Sequence, residues 1–235
     1  MLTTVYLVLG GEVDGLAYHD KGWTSFEYLL ATLIKPSNTS VAKDWPMLLD
    51  LTGDMEKAGT NNGNFDDRPA PIEPLAFQPG HAYGAKIYTN GADRDKIVAP
   101  KFERTIEEVL GGAETLNYNK LPWGDAGAVQ LAGVLRMCVS LKELSLGGAG
   151  VGDAGAAALG EALGAMRGAS LEELILYHND IGDDGAMALA EGLKKCTAPL
   201  RELWLLDNPR ISEAGKAAVR EAAKAIPSLS VYGVE

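Results

Sequence analysis

The sequence is short of several residue types, and each shortage excludes a class of protein. Only Cys138 and Cys196 are cysteines, too few for the disulfide framework of a small secreted domain, so we expect a reducing, intracellular compartment, by default the cytoplasm. Basic residues are outnumbered, with 21 Lys and Arg against 32 Asp and Glu, which gives a net charge of −11. That balance argues against a nucleic-acid partner, which needs clustered Lys and Arg, and against a polybasic membrane anchor.

Long apolar runs are also missing. No stretch approaches the roughly 18 residues of a membrane-spanning helix, so direct insertion into a membrane is not predicted. The first residues, MLTTVYLVLGGE, lack the basic region and the cleavage site of a signal peptide. A start this close to a strand-like run is also typical of a processed or truncated product, and processing would make an organelle the alternative compartment.

What the sequence does contain is an internal repeat. The motif Leu-x-x-Leu-x-Leu, called the repeat line here, begins at Leu141, Leu171 and Leu200, with a weaker copy at Ala113. A second block of small residues around an acid follows each line, beginning at Trp123, Val151, Ile181 and Ile211. Two signatures that recur in phase predict four stacked units, and the closing residues IPSLSVYGVE predict a last strand without a helix.

Each unit predicts one strand followed by one helix. Alternating leucines favour a short strand with one buried face, and the Ala and Leu positions of the second block recur at helical spacing. One unit cannot bury its own leucines, but stacked neighbours can. The acids of the second block lie where a helix N-terminus attracts negative charge: Asp125, Asp153, Asp183 and Glu213.

The lines and blocks resemble leucine-rich repeats of the ribonuclease-inhibitor type, over about residues 113–231. The resemblance implies an α/β fold, a short solenoid with a parallel sheet on its concave inner side and helices outside, preceded by a partial β-α-β segment. We therefore divide the chain into residues 1–112, a partial α/β segment, and residues 113–235, about four repeats plus a terminal strand.

In this repeat geometry the residues between the leucines, Ser145 among them, face outward on the sheet. Some of them predict an apolar patch with a charged rim, which is typical of protein-binding surfaces. The alternative is that the N-terminal region covers the patch. The candidate partner-binding residues are the apolar Trp204, Ile175, Tyr177 and Leu206 and the rim residues Glu143, Glu173 and Glu202.

Neither a metal nor a cofactor is predicted. Cys138 and Cys196 both precede a strand of the repeat, which favours a role in the core. His178 lies near Asp180, Asp183 and Asp184, but those acids are better explained as turn and cap residues. Residues 66–68, Asp-Asp-Arg, read as a solvated loop, and LGGEVDG lacks the glycine spacing of a phosphate loop.

The first half has a different organisation. TTVYLVLG predicts a strand, residues 26–34 an amphipathic helix and WPMLLDL a second strand, which together make one β-α-β unit. A Pro- and Gly-rich loop occupies residues 52–84. NGADRDKIVAPKFERTIEEVLGG predicts a helix that Pro100 interrupts and that Gly111 and Gly112 end.

Two roles are open for Glu27. Thr24-Ser25-Phe26-Glu27 is a capping box at the start of the predicted helix, with Trp23 and Tyr28 as its hydrophobic staple. A strand followed by Trp-x-x-x-Glu is also similar to the second half of Toll/interleukin-1 receptor-like (TIR) domains, whose enzymatic members use that glutamate at the ribose of NAD. KGWTSFE and NGADRD further resemble microalgal proteins that join such a region to ribonuclease-inhibitor-type repeats.

The upstream strand, helix and nucleotide loop of a TIR domain are not found ahead of this segment, so a cap is the favoured role of Glu27. We therefore expect a non-enzymatic interaction or scaffold module that binds other proteins as a subunit or adaptor of a larger assembly. The alternative is a TIR-like NAD hydrolase, or a degenerate NAD-binding module, with Glu27 as catalytic residue and a missing N-terminus or a partner completing the pocket.

Overall fold

The computed structural model describes residues 70–74, 94–166, 168 and 170–235, and the backbone of two short strands nearer the start of the chain. These strands, β1 (Glu12–Val13) and β2 (Leu16–Ala17), pair antiparallel. The predicted strands and helix of the β-α-β unit, and all of loop 52–84 except residues 70–74, lie outside the described residues.

Over residues 94–235 the described chain alternates helices and strands. The helices are α1 (Ala99–Gly112), α2 (Gly124–Val134), α3 (Asp153–Ala165), α4 (Asp183–Lys195) and α5 (Glu213–Ala223). The strands are β3 (Thr115–Asn117), β4 (Glu143–Ser145), β5 (Glu173–Ile175), β6 (Glu202–Trp204) and β7 (Ser230–Tyr232). The strands form one parallel sheet in the order β3-β4-β5-β6-β7. This arrangement confirms the predicted α/β solenoid of parallel strands and alternating helices.

The core lies between the sheet and the helices. The central leucine of each strand from β3 to β6 is buried, and it packs with apolar residues on one side of each following helix. Full burial of one such side chain stabilises the fold by roughly 1.5–3 kcal/mol. The residues that meet in this layer include Leu116, Leu144, Leu174 and Leu203 from the strands and Leu131, Leu159, Leu189 and Val219 from the helices.

Helix α1 covers the first repeat. Its buried Phe102, Ile106 and Leu110 lie four residues apart and join the same core. Pro100 does not interrupt this helix, so that part of the prediction was wrong. It is the second residue of α1, where a missing amide loses no hydrogen bond, and the turn before it, Arg94–Val98, is π-helical.

Part of the predicted loop packs on the solenoid. Ala70 and Ile72 are buried, and the carbonyl oxygen of Ala70 accepts a hydrogen bond of 3.4 Å from Gln130 Nε2 on α2. Glu73 pairs with Arg136 at 2.8 Å. Residues 70–74 are therefore held by the first repeat.

The helices are capped from the neighbouring repeat. Asp153 lies in the first turn of α3, as predicted, but its Oδ1 accepts bonds from the amides of Gly182 (2.6 Å) and Gly185 (3.1 Å) at the start of α4. Asp125 binds the start of α3 and Asp183 the start of α5 in the same way. Each carboxylate thus serves the following helix.

Glycine residues allow each carboxylate to come this close to the first amides of the next helix. The residue before α4 is Gly182, which has no side chain with which to cap the helix itself. A Cβ on Gly185, the third residue of α4, would lie 2.8 Å from Asp153 Oδ1. The recurring Gly-Asp-x-Gly of the second block therefore combines an acceptor carboxylate for the amides of the next repeat with two donor amides for the carboxylate of the previous one.

Two buried asparagines add a second link between repeats. Asn179 Nδ2 donates to the carbonyl oxygens of Leu146 (2.9 Å) and Leu176 (3.0 Å), and its Oδ1 accepts from the amide of Val151 (2.9 Å). Asn208 makes the same set one repeat later. These amides satisfy the buried backbone groups of the turns that follow the strands.

Helices α3 and α4 approach each other at a pair of glycines. A Cβ on Gly192 would lie 2.0 Å from the carbonyl oxygen of Gly160, and a Cβ on Gly160 would lie 2.7 Å from that of Ala188. Backbone thus packs on backbone, and any side chain here would push the two repeats apart.

The capping link predicts the effect of Asp153→Ala. The change removes both carboxylate bonds to the start of α4 and should lower the free energy of unfolding by about 1–2 kcal/mol, measured by urea denaturation. The matched control is Asp184→Ala, an exposed acid in the first turn of α4, where a few tenths of a kcal/mol is expected. Equal losses in the two variants would contradict capping by Asp153.

The glycine contact predicts the effect of Gly192→Ala. The new methyl group would overlap backbone atoms, so the free energy of unfolding should fall by about 1–3 kcal/mol or more. Gly112→Ala is the control, since a Cβ there meets nothing within 4 Å and alanine favours the helical state. Thermal melting of both proteins checks the prediction, and a neutral Gly192→Ala would contradict the close packing.

Candidate functional site

The face of the sheet turned away from the helices, here called the far face, consists of rows. Because the parallel strands are in register, equivalent residues of successive repeats stand side by side at about 4.8 Å. Three rows matter here. On the far face, the acidic row is Glu143, Glu173 and Glu202, and the apolar row is Ile175, Trp204 and Tyr232. The paired row, at the residue before each strand, is Glu114, Lys142, Glu172 and Arg201.

The paired row neutralises itself. Lys142 Nζ lies 2.9 Å from Glu114 Oε2, and Arg201 Nη1 lies 3.4 Å from Glu172 Oε2. Each pair joins two neighbouring repeats, and acid and base alternate along the row.

The acidic row differs. Glu143, Glu173 and Glu202 are register partners on three adjacent strands, and within the described residues none forms an ion pair with Lys or Arg. Glu202 Oε2 accepts a hydrogen bond of 2.9 Å from Trp204 Nε1. Burial, and then the charge of Glu173, raise the pKa of Glu143 above its ordinary value.

The apolar row runs beside the acidic row, two residues further along each strand. The rings of Trp204 and Tyr232 stack with centroids 4.1 Å apart and planes inclined by 24°. Trp204 and Ile175 are half-buried, so part of each apolar side chain is accessible. Aromatic side chains of this kind contribute strongly to protein interfaces.

Tyr177 and Leu206 extend the apolar row past the strand ends. The ring of Tyr177 lies over Gly147, where a Cβ would be 2.5 Å from Tyr177 Cζ. Leu206 is 36% exposed. The backbone connects the two repeats here, since the amide of His178 donates to the carbonyl oxygen of Leu206 at 3.0 Å.

The structure thus brings all seven predicted partner-binding residues to one face, with one difference in layout. The glutamates form a continuous row along one side, and they do not surround the apolar residues as a rim. Ser145, the register partner of Ile175, faces outward as predicted but is fully buried, because Asn119 Oδ1 covers it and accepts its hydroxyl at 2.7 Å.

Tyr232 is a member of the apolar row that the sequence prediction missed. It is the register partner of Trp204 on β7. The closing strand lacks the leucines of the repeat line, so no motif marks it. Aligning Ser230-Val231-Tyr232 with Glu202-Leu203-Trp204 would have placed Tyr232 beside the tryptophan.

The histidine and acids considered for a metal are directed to different partners. His178 Nδ1 lies 3.3 Å from Asp207 Oδ2, and Asp180 lies 3.2 Å from Arg210. The hydroxyl and amide of Ser212 donate to Asp183 and hold the pKa of that carboxyl below its usual value. No group of three or more His, Cys, Asp or Glu in the described part of the chain is arranged to hold a metal ion.

Both cysteines are free thiols. Cys138 is fully buried, and burial raises the pKa of its thiol to about 12. Burial also raises the pKa of the half-buried Cys196. A thiol held protonated is a poor nucleophile and a poor metal ligand, which agrees with the core role predicted from sequence.

Several sequence predictions fall outside the described residues. Glu27, with its capping box, is one of them, and residues 66–68 are others; of the LGGEVDG segment, only Glu12–Val13, strand β1, is described. The cap and the catalytic role of Glu27 both remain predictions. Within the described chain, no helix combines the length and the apolar composition needed to cross a membrane.

Comparison with known proteins identifies the repeat. A family model described as "Leucine Rich repeat" matches residues 138–160 and 169–190, which contain β4 with most of α3 and β5 with part of α4. The chain carries leucine-rich repeats. Among solved structures it is similar to actin-binding site 2 of leiomodin-1, with 20% identity and a TM-score of 0.49, over 59% of this chain and 79% of that chain. No curated protein matches the chain.

The leucine-rich repeats place Glu143 where its charge opposes folding, which predicts a pH-dependent effect of Glu143→Gln. Because the folded-state pKa is raised, the ionised carboxylate destabilises the fold at neutral pH. This penalty shrinks as the pH falls through the raised folded-state pKa and is gone below the unfolded-state pKa of about 4.3. The variant should therefore gain a few tenths of a kcal/mol at neutral pH, and the gain should vanish near pH 4.

Thermal melting across this pH range provides the measurement. The control is Glu172→Gln, which removes an acid that has a cationic partner on the same sheet and should lose a little stability at neutral pH. A Glu143→Gln gain that persists unchanged in acid would contradict the interpretation.

Proposed function

We propose that this chain is a non-enzymatic protein-binding module, and that its partner contacts the far face of the sheet. The observation that carries the proposal is the stacked pair Trp204 and Tyr232, partly accessible on a rigid five-strand surface. Ile175, Tyr177 and Leu206 continue the apolar surface, and Glu143, Glu173 and Glu202 border it. Leucine-rich-repeat solenoids generally act by binding proteins on extended surfaces of this kind.

The repeats favour the ribonuclease-inhibitor type. The repeat lines follow each other at 28 to 30 residues, judged from their starts at Ala113, Leu141, Leu171 and Leu200. Each repeat carries a full α-helix of 11 to 13 residues. A module of this kind suits a scaffold subunit or adaptor within a larger assembly.

The proposal predicts that Trp204→Ala loses the partner. Truncating a central aromatic anchor should weaken binding by about thirtyfold, the equivalent of roughly 2 kcal/mol. The measurement is affinity capture from native lysate by the purified chain, with quantitative mass spectrometry of the bound proteins. Circular dichroism melting must show that the variant folds.

The matched control is Val129→Ala, which truncates a side chain 48% exposed on the helical side. It should retain every protein that the unmodified chain captures. A folded Trp204→Ala protein with undiminished capture would refute binding at the far face. Cleavage of NAD by the purified chain, abolished by Glu27→Ala, would refute the non-enzymatic assignment.

A further inference from the structure

We propose that the partner reaches the far face through a basic segment. Lys or Arg side chains of that segment lie against the acidic row, and a neighbouring apolar side chain packs on the Trp204–Tyr232 stack. This inference rests on the proposed function and adds to it the chemistry of the partner.

The contrast between two adjacent rows carries the argument. In the paired row, Lys142 and Arg201 each neutralise an acid of the repeat before them. One residue further along the chain, where each strand begins, the acidic row has three carboxylates and, within the described residues, no cation. The described residues thus supply counter-charges for Glu114 and Glu172 and none for Glu143, Glu173 and Glu202.

Without a neutralising cation, the acidic row destabilises the folded state. Neighbouring carboxylates on strands about 4.8 Å apart repel one another, and like charges directly opposite in a sheet destabilise it. Burial, and to a smaller extent the charge of Glu173, raise the pKa of Glu143, so its ionised form is disfavoured in the fold. A partner cation would relieve the repulsion while the half-buried setting keeps the attraction from being fully screened.

The dimensions of the row set the size of the complementary group. Thr115 and Ser230, the register partners at either end, are uncharged, so the charge is confined to β4, β5 and β6. Three carboxylates at this spacing span about 10 Å. Two or three basic side chains on one short segment cover that length.

The apolar row determines which other side chains the basic segment must carry. Because Trp204 Nε1 donates to Glu202 Oε2, the indole and the carboxylate form one continuous surface. A cation held at Glu202 therefore lies next to the Trp204–Tyr232 stack, where an aliphatic or aromatic neighbour, or the guanidinium of Arg itself, can pack.

A second copy of this chain does not satisfy the same surface. A symmetric pair would bring two acidic rows together, and each chain carries a net charge of −11. The basic segment must therefore come from elsewhere, and the experiment below separates a partner from the chain's own N-terminal region.

The first measurement is peptide selection. A phage library of random short peptides is selected on the full chain, on Glu143→Gln/Glu173→Gln/Glu202→Gln, and on Trp204→Ala. Peptides from the full chain should be enriched in Lys and Arg and carry at least one aromatic or large aliphatic residue. Synthetic copies should bind the triple variant about tenfold more weakly and should lose affinity at high salt.

The outcomes distinguish this inference from the proposed function. Neutral or acidic peptides that require Trp204 would overturn the basic partner and leave protein binding intact. Basic peptides that bind the triple variant equally well would also overturn it, as would a selection with nothing above the bare support. Basic peptides that lose affinity for the triple variant but keep full affinity for Trp204→Ala would overturn contact with the stack. Peptides indifferent to both Trp204 and the glutamates would count against the proposed function as well.

The second measurement compares neighbouring residues, Glu173→Gln and Glu172→Gln. Glu173→Gln should raise the melting temperature slightly and weaken the selected basic peptides, because it removes repulsion in the free chain and attraction in the complex. Glu172→Gln should lower the melting temperature slightly and leave peptide binding unchanged, since it breaks the pair with Arg201. A fall in melting temperature for Glu173→Gln would show that the chain itself already engages this carboxylate, which would overturn an external partner.

Discussion

One carboxylate oxygen in each of the first three repeats accepts hydrogen bonds from the first amides of the following helix. These hydrogen bonds close a helix end that would otherwise expose unsatisfied donors, and they tie the position of one helix to that of the next. Asp125, Asp153 and Asp183 repeat the contact through the solenoid. The parallel strand pairing, the buried asparagines and the glycine contact between α3 and α4 all require the spacing that these carboxylates help to set.

Regular stacking turns a repeated sequence position into a row on the surface. Where three successive repeats carry Glu at the same position, three carboxylates stand side by side. Where the residue differs from repeat to repeat, the chemical character of the row changes along the sheet. Along Asn117, Ser145, Ile175, Trp204 and Tyr232 the far face changes from polar to aromatic. The two ends of the sheet therefore differ in chemistry although they share one backbone.

Periodicity predicted the leucine positions and the helix starts, because both follow from local spacing. It could not predict that Asp153 caps α4, because the bonded groups are 29 and 32 residues apart and a carboxylate in a first turn looks the same whichever helix it serves. The burial of Ser145 depends on Asn119 in another repeat, and Tyr232 stands in a strand with no motif. The far-face residues were found because outward positions alternate with leucines, whereas their arrangement in rows needed the register between strands.

The capping carboxylate always precedes the helix that it caps. When the chain leaves the ribosome, Asp125 is therefore already present as α3 emerges, and Asp153 as α4 emerges. Synthesis proceeds from the N-terminal side, so the carboxylate that caps each of these helices is made before the helix itself. In each of these caps, the acceptor carboxylate is thus synthesised before the amides that donate to it.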